Sequence, residues 1–170
     1  MTTLRIGLIG YGALATSLAR ELGREGNDAV VAIIADPAQR CRDEAREAYP
    51  DAVITADTAD VIASDVDAVM VLTPDDLHAD PIVAALESGK AVFSEKPLAI
   101  TVADADRVLA AAQRTGSRLY VGHNMRHMPV ITLMKRLIDE GLIGEVKAVW
   151  CRHFVGHGGD FYFRDWHADR

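Results

Sequence analysis

Near the N-terminus, Gly10, Gly12 and Ala15 stand in the run Gly10-Tyr11-Gly12-Ala13-Leu14-Ala15, with Asp36 and Arg40 further along. Those types at that spacing suit the chemistry of holding a dinucleotide. Gly10 can turn tightly off a strand, and Gly12, lacking a side chain, lets the backbone approach a pyrophosphate. A helix that begins around Ala13 and Leu14 then aims its unpaired N–H groups and positive dipole end at the phosphates. Ala15 occupies the place where a third glycine is usual and is small enough for close packing of helix on strand. Asp36 lies about 20 residues beyond Ala15, where a carboxylate accepts hydrogen bonds from both ribose hydroxyls of an adenosine and repels a 2′-phosphate. NAD is therefore favoured, while Arg40 close by keeps NADP possible. An alternative for Asp36 is a simple helix cap, because Asp36-Pro37 is also a good helix start.

The elements that must position these residues are legible from hydrophobic period. Short apolar runs at residues 4–9, 30–35, 52–54, 68–72, 91–94 and 119–122 read as strands. Several are apolar on both faces, as expected where helices cover both sides of a parallel sheet. Helices are expected over 37–48 and 81–88, each with proline in its first turn, and over 101–115, which ends before Gly116. The fold class is α/β, a Rossmann-type doubly wound parallel sheet. After about residue 123 the alternation breaks. A helix over 130–140 leads to Gly141-Leu142-Ile143-Gly144-Glu145-Val146 and an expected strand over 146–155. This reads as residues 1–123 forming an NAD(P)-binding domain, with 124–170 supplying a connecting helix and the first strand of a second, α+β domain. A lone strand leaves its backbone groups unpaired, so the expectation is a fragment or truncated form.

Composition narrows the partners. The 170 residues carry 18 basic and 25 acidic side chains, a net charge of −7. With no Lys/Arg cluster, neither nucleic acid nor an anionic membrane surface is an expected partner. Cys41 and Cys151 lie far apart and outside any CxxC or CxxH pattern, which suggests reduced thiols and a cytoplasmic location. Ala13-Leu14-Ala15 has the look of a signal-peptidase site, but the preceding apolar stretch is short, broken by glycines and flanked only by Arg5. His153 and His157 have i, i+4 spacing among glycines that oppose a helix, so no metal is expected.

Three further segments follow predicted strands: Thr73-Pro74-Asp75-Asp76-Leu77-His78, Glu95-Lys96-Pro97, and His123-Asn124-Met125-Arg126. Strand C-terminal ends are where an open α/β sheet binds ligands. With the glycine turn, terminal Asp36 and the Gly141–Val146 run, this ordered set resembles the glucose–fructose oxidoreductase/inositol dehydrogenase/rhizopine catabolism (Gfo/Idh/MocA) family of NAD(P)-dependent oxidoreductases over essentially the whole chain. The resemblance implies hydride exchange between nicotinamide and a hydroxyl or ketone of a sugar, polyol or similar small molecule. It also implies a homo-oligomer in the full-length form, and the expectation for a chain of this length is an incomplete catalyst.

By the same resemblance, Tyr11 and Ala13 offer backbone N–H groups beside the pyrophosphate turn. Thr73, Pro74 and His78 line the nicotinamide side, and Glu95, Lys96 and Pro97 form the signature in which Lys96 contacts cofactor ribose and substrate. Asn124 and Arg126 shape the substrate pocket, with Trp166, beside Arg164 and Asp165, near it. Lys96 is the catalytic candidate, either relaying a proton from the substrate hydroxyl or remaining charged to stabilise the developing alkoxide. Two other functions remain open from the residues alone: a nucleotide-binding or regulatory module without turnover, and a methyltransferase using the same glycine turn. The latter gives no role to Glu95-Lys96-Pro97 or to the loop ending at His78.

Overall fold

The computed structural model describes residues 3–24 and 26–152. By internal contacts it divides into one unit up to Asn124 and another from Met125.

The first unit is a six-stranded parallel sheet: β1 (Leu4–Ile9), β2 (Ala29–Ala35), β3 (Val53–Thr55), β4 (Ala68–Val71), β5 (Ala91–Ser94) and β6 (Leu119–Val121). The spatial order is β3-β2-β1-β4-β5-β6. The chain winds outward from β1 to one edge and then returns to build the other half. The crevice between the ends of β1 and β4 is therefore the topological switch point, where sheets of this class take their ligands. In register, Ile9 pairs with Ala35 on one side and Val71 on the other, which brings the loops after all three strands to one edge.

Successive strand residues face opposite sides of the sheet. Ile9, Ile33, Val69, Val71 and Val92 pack against α3 (Thr58–Ala63), α4 (Ala79–Glu87) and α5 (Val102–Thr115) through Val61, Ile82, Leu86 and Val108. Ile6, Leu8, Ile34 and Met70 pack against α1 (Ala13–Leu22) and α2 (Gln39–Ala48) through Ala15, Ala19, Cys41 and Ala45. Two buried faces explain why the strands read as continuous apolar runs. Gly7 lets α3 come close: a Cβ there would lie 2.6 Å from Val61 Cγ1.

Several boundaries differ from expectation. α2 begins at Gln39, not Pro37, because the Asp36 carboxylate accepts the Ala38 N–H and forms a turn ahead of the helix. α3 has no counterpart in the sequence reading; it is only six residues long and is fixed by Asp57, whose carboxylate accepts the Ala59 N–H. α5 is capped by the Thr101 hydroxyl, which accepts the Asp104 N–H, and ends at left-handed Gly116.

In the second unit, α6 (Pro129–Asp139) begins with proline at its first position and buries none of its residues. Residues 146–152, expected to be strand, are not. Strand formation needs a partner for backbone N–H and C=O groups, and no described strand pairs with them. Residues 153–155 of that expected strand, His157 and Trp166 lie outside the described residues. No helix among the described residues is long and apolar enough to cross a membrane.

Candidate functional site

The glycine turn follows directly from β1. Gly10 adopts φ +91°, and a Cβ there would lie 2.8 Å from the Leu72 carbonyl carbon and oxygen and 2.9 Å from Thr73 N. Both the dihedral and the neighbouring backbone demand glycine. Gly12 differs: a Cβ built on it meets nothing within 4 Å, so the turn leaves an open cradle there. Gly12 is also the N-cap of α1, which has no side-chain cap and no acidic residue in its first turn. Its first intrahelical bond runs from Thr16 N–H to the Gly12 carbonyl, so the preceding amides, from Ala13 and Leu14 onward, are left by helix geometry for an anion. Ala15 is 1% exposed and seats α1 on the sheet.

Asp36 closes the far side of this crevice. It is buried, with Oδ2 accepting the Tyr11 N–H at 2.7 Å and Oδ1 accepting the Ala38 N–H at 2.8 Å. Each carboxylate oxygen keeps a further lone pair. The carboxylate is thus both a helix-entry cap and an acceptor held against the glycine turn. The Tyr11 amide, expected to face phosphate, is committed to Asp36 instead. The buried Tyr11 ring stacks edge-on against Tyr49 with centroids 6.2 Å apart. Burial pushes the Tyr11 and Tyr49 phenols up from their ordinary value. Cys41, buried at the start of α2, has its thiol pushed up by burial and then by the Asp36 charge.

Sequence reasoning missed Arg42. Its Nη1 donates to the Asp36 carbonyl at 2.8 Å and the Pro37 carbonyl at 2.7 Å, and its Nη2 donates to Gln39 Oε1. No spacing rule marks such a residue, because two of its three partners are main-chain carbonyls. Arg40, singled out for its charge, is exposed and pairs with Glu44 at 2.6 Å.

The loops after β4 and β5 meet on the other side of Gly10. Thr73 Oγ1 is buried and has no hydrogen-bond partner, an expensive state that a ligand group would relieve. Pro74 precedes a 3₁₀ turn over Asp75–Leu77. His78, only 1% exposed, sets Nδ1 2.6 Å from the Pro97 carbonyl and Nε2 2.9 Å from the Thr73 carbonyl. Its ring therefore ties the two loops together and leaves neither nitrogen for a ligand. Glu95 Oε2 accepts the Lys96 N–H at 2.9 Å, and the Glu95 side chain lies where a Cβ on Gly122 would stand, 3.0 Å from Oε1. The Lys96–Pro97 peptide is cis, and the Lys96 side chain is exposed. Asn124 is exposed at the end of the first unit; Arg126 belongs to the second unit and is also exposed. No group of residues suited to hold a metal ion occurs among the described residues.

An open cradle at Gly12, uncapped helix amides, a positioned carboxylate at Asp36 and an orphan hydroxyl at Thr73 fit a dinucleotide laid across the switch point. The class is a Rossmann dinucleotide-binding protein. Residues 4–123 match the model of the Gfo/Idh/MocA group, described as an oxidoreductase family with an NAD-binding Rossmann fold, and the chain belongs to that family. It is 39% identical over 154 residues to an inositol 2-dehydrogenase of Gluconacetobacter diazotrophicus, covering 89% of this chain and 46% of that protein. An inositol 2-dehydrogenase of Rhizobium meliloti is 38% identical over 86% of this chain and 44% of its own length. The crystal structure of scyllo-inositol dehydrogenase from Lactobacillus casei with bound NAD(H) and scyllo-inositol superposes with a TM-score of 0.79 at 25% identity, over 85% of this chain and 43% of that one. The WlbA dehydrogenase from Bordetella pertussis in complex with NADH and UDP-GlcNAcA gives 0.79 at 27% identity, over 84% and 43%. The chain spans about half the length of the curated relatives it matches.

Proposed function

We propose that this chain carries the nicotinamide-binding site of an NAD-dependent dehydrogenase that oxidises a hydroxyl of a cyclic polyol or sugar, or reduces the corresponding ketone. The observation that carries this reading is the placement, at one edge of the sheet, of an open glycine cradle after β1 and an exposed lysine on the loop after β5. Likeness to inositol 2-dehydrogenases supports a polyol as the substrate class.

In this reading Gly12, Ala13 and Leu14 hold the pyrophosphate through backbone amides, and Asp36 holds the adenosine ribose. Tyr11 serves by fixing Asp36. Thr73 and Pro74 line the nicotinamide side, where the bound cofactor supplies the hydride acceptor or donor. His78 joins that loop to the loop bearing Lys96, and Glu95 fixes the Lys96 backbone. Lys96 Nζ meets the substrate hydroxyl and acts as the catalytic group, either accepting the hydroxyl proton as a neutral amine or, remaining charged, stabilising the developing alkoxide. Asn124 is the substrate-contacting candidate of the first unit, and the family resemblance offers Arg126 and Trp166 for the same role.

The −7 net charge argues against nucleic acid or anionic membrane as a partner. The free thiols of Cys41 and Cys151 support a reducing, cytoplasmic setting. The family resemblance supports a homo-oligomer. The test is hydride transfer, followed as NADH absorbance, from a panel of inositols and sugars with the protein as expressed from its gene. The expected result is turnover with a cyclic polyol, with Lys96→Ala losing turnover while retaining NADH binding. Unchanged turnover in Lys96→Ala would remove Lys96 from the mechanism, and no turnover with any polyol or sugar would overturn the substrate class.

A further inference from the structure

We propose that Arg42 sets the dinucleotide preference of this site by bracing the Asp36 loop; the proposal rests on the reading that the glycine turn binds a dinucleotide. Arg42 stands in the first half of α2, near the helix end whose dipole is positive, and no acidic residue shares that first turn. A cation there opposes the macrodipole. Its placement is offset by three acceptors, the carbonyls of Asp36 and Pro37 and the Gln39 side chain. Charge-assisted hydrogen bonds of this kind are the strong ones.

Together with the two amides on the Asp36 carboxylate, these contacts grip both the main chain and the side chain of Asp36. A carboxylate held this way cannot swing aside when a 2′-phosphate approaches. The arginines nearby are also turned away from such a phosphate. Arg42 faces carbonyls, and Arg40 faces Glu44. The site therefore meets a 2′-phosphate with a fixed negative charge and no committed cation, while a ribose with free hydroxyls finds two oriented acceptors. Discrimination depends on the brace as well as on the acid, because a mobile carboxylate can leave the phosphate's path and bond with the protein or water instead.

The test is fluorescence titration of the whole chain with NADH and with NADPH, for the native protein and for Arg42→Ala and Arg42→Lys. The native protein is expected to bind NADH more tightly. Arg42→Ala is expected to lose NADH affinity by about tenfold, the scale of one charge-assisted hydrogen bond. NADPH affinity should change by a smaller factor, so the preference narrows. Arg42→Lys, which keeps the charge and some donors, should fall between them. A merely structural role for Arg42 weakens both dinucleotides by the same factor, and that result, or no change in either, overturns the proposal. If Arg42→Ala does not fold, Arg42→Lys and Arg42→Gln carry the same ratio test. A native protein that binds neither dinucleotide refutes the underlying reading instead, and with it the role of the brace.

Discussion

Replacing Gly10 and Gly12 separately by alanine should give opposite phenotypes, although the two residues are neighbours in one turn. At Gly10 the new methyl meets main-chain atoms of Leu72 and Thr73 at 2.8–2.9 Å, and main chain cannot rotate away. The φ of +91° adds a second cost, about 1–2 kcal/mol for a left-handed L-residue. Overpacking against a fixed neighbour costs about 1–3 kcal/mol, so the sum is centred on about 3.5 kcal/mol. At about 2–4 °C per kcal/mol for a chain of this size, Gly10→Ala should lower Tm by about 7–14 °C. At Gly12 the methyl enters open space at an ordinary φ of −82°, and its stability cost is no more than about 1 kcal/mol as an N-cap change. That methyl stands where phosphate must approach. Gly12→Ala should therefore melt close to the native protein and bind NADH at least several-fold more weakly. Differential scanning fluorimetry with and without NADH measures both quantities. A Gly12→Ala protein destabilised as much as Gly10→Ala, or one that binds NADH like the native chain, would refute the division of labour between the two glycines.

The two thiols should separate by reactivity. Cys151 is exposed and Cys41 buried, so Ellman's reagent should label one thiol promptly in the native protein and both in denaturant. Because burial and Asp36 raise the Cys41 thiol above its unfolded value, its contribution to stability is complete below about pH 8.5 and declines as pH rises through the folded value. Tyr11 and Tyr49, raised by burial, extend the decline above about pH 10. Urea unfolding across pH 7–10.5 should show this fall, with its early part removed in Cys41→Ala; a flat profile in the native protein would contradict it. Gly7→Ala places a methyl 2.6 Å from Val61 Cγ1 and should cost about 1–3 kcal/mol by the same unfolding assay. Paired with Val61→Ala it should recover much of that loss, and additive losses would count against direct contact between the two positions.

The sheet was readable because several strands are apolar on both faces and α1 and α5 close at Gly23 and Gly116. Ile6, Leu8 and Ile9 declare β1, and Thr101 with Gly116 brackets α5. α3 escaped because its six residues are too few to show a helical period, although Asp57 ahead of Thr58 and Ala59 carried a capping signal. The second unit was harder. Strand propensity at residues 146–152 reflects apolar side chains, whereas a strand exists only with a partner to take its hydrogen bonds.

Within the site, residue types told their chemistry but not their commitments. Gly10 and Asp36 stand where the spacing of the turn and the end of β2 placed them. The side-chain partners did not follow from type. Tyr11 donates to Asp36, both His78 nitrogens face carbonyls, and Arg40 pairs with Glu44. Arg42 was invisible because a brace made to main-chain carbonyls leaves no pattern in the side chains it serves.

The proposed dinucleotide lies across the switch point between β1 and β4. A crystal structure of this protein grown with NADH tests this placement most directly. Pyrophosphate density is expected against the Gly12 and Ala13 amides, the adenosine ribose on the Asp36 carboxylate, and a ligand atom within hydrogen-bond distance of Thr73 Oγ1. Density elsewhere on the chain, or a ribose that leaves Asp36 bonded only to Tyr11 and Ala38, would contradict it.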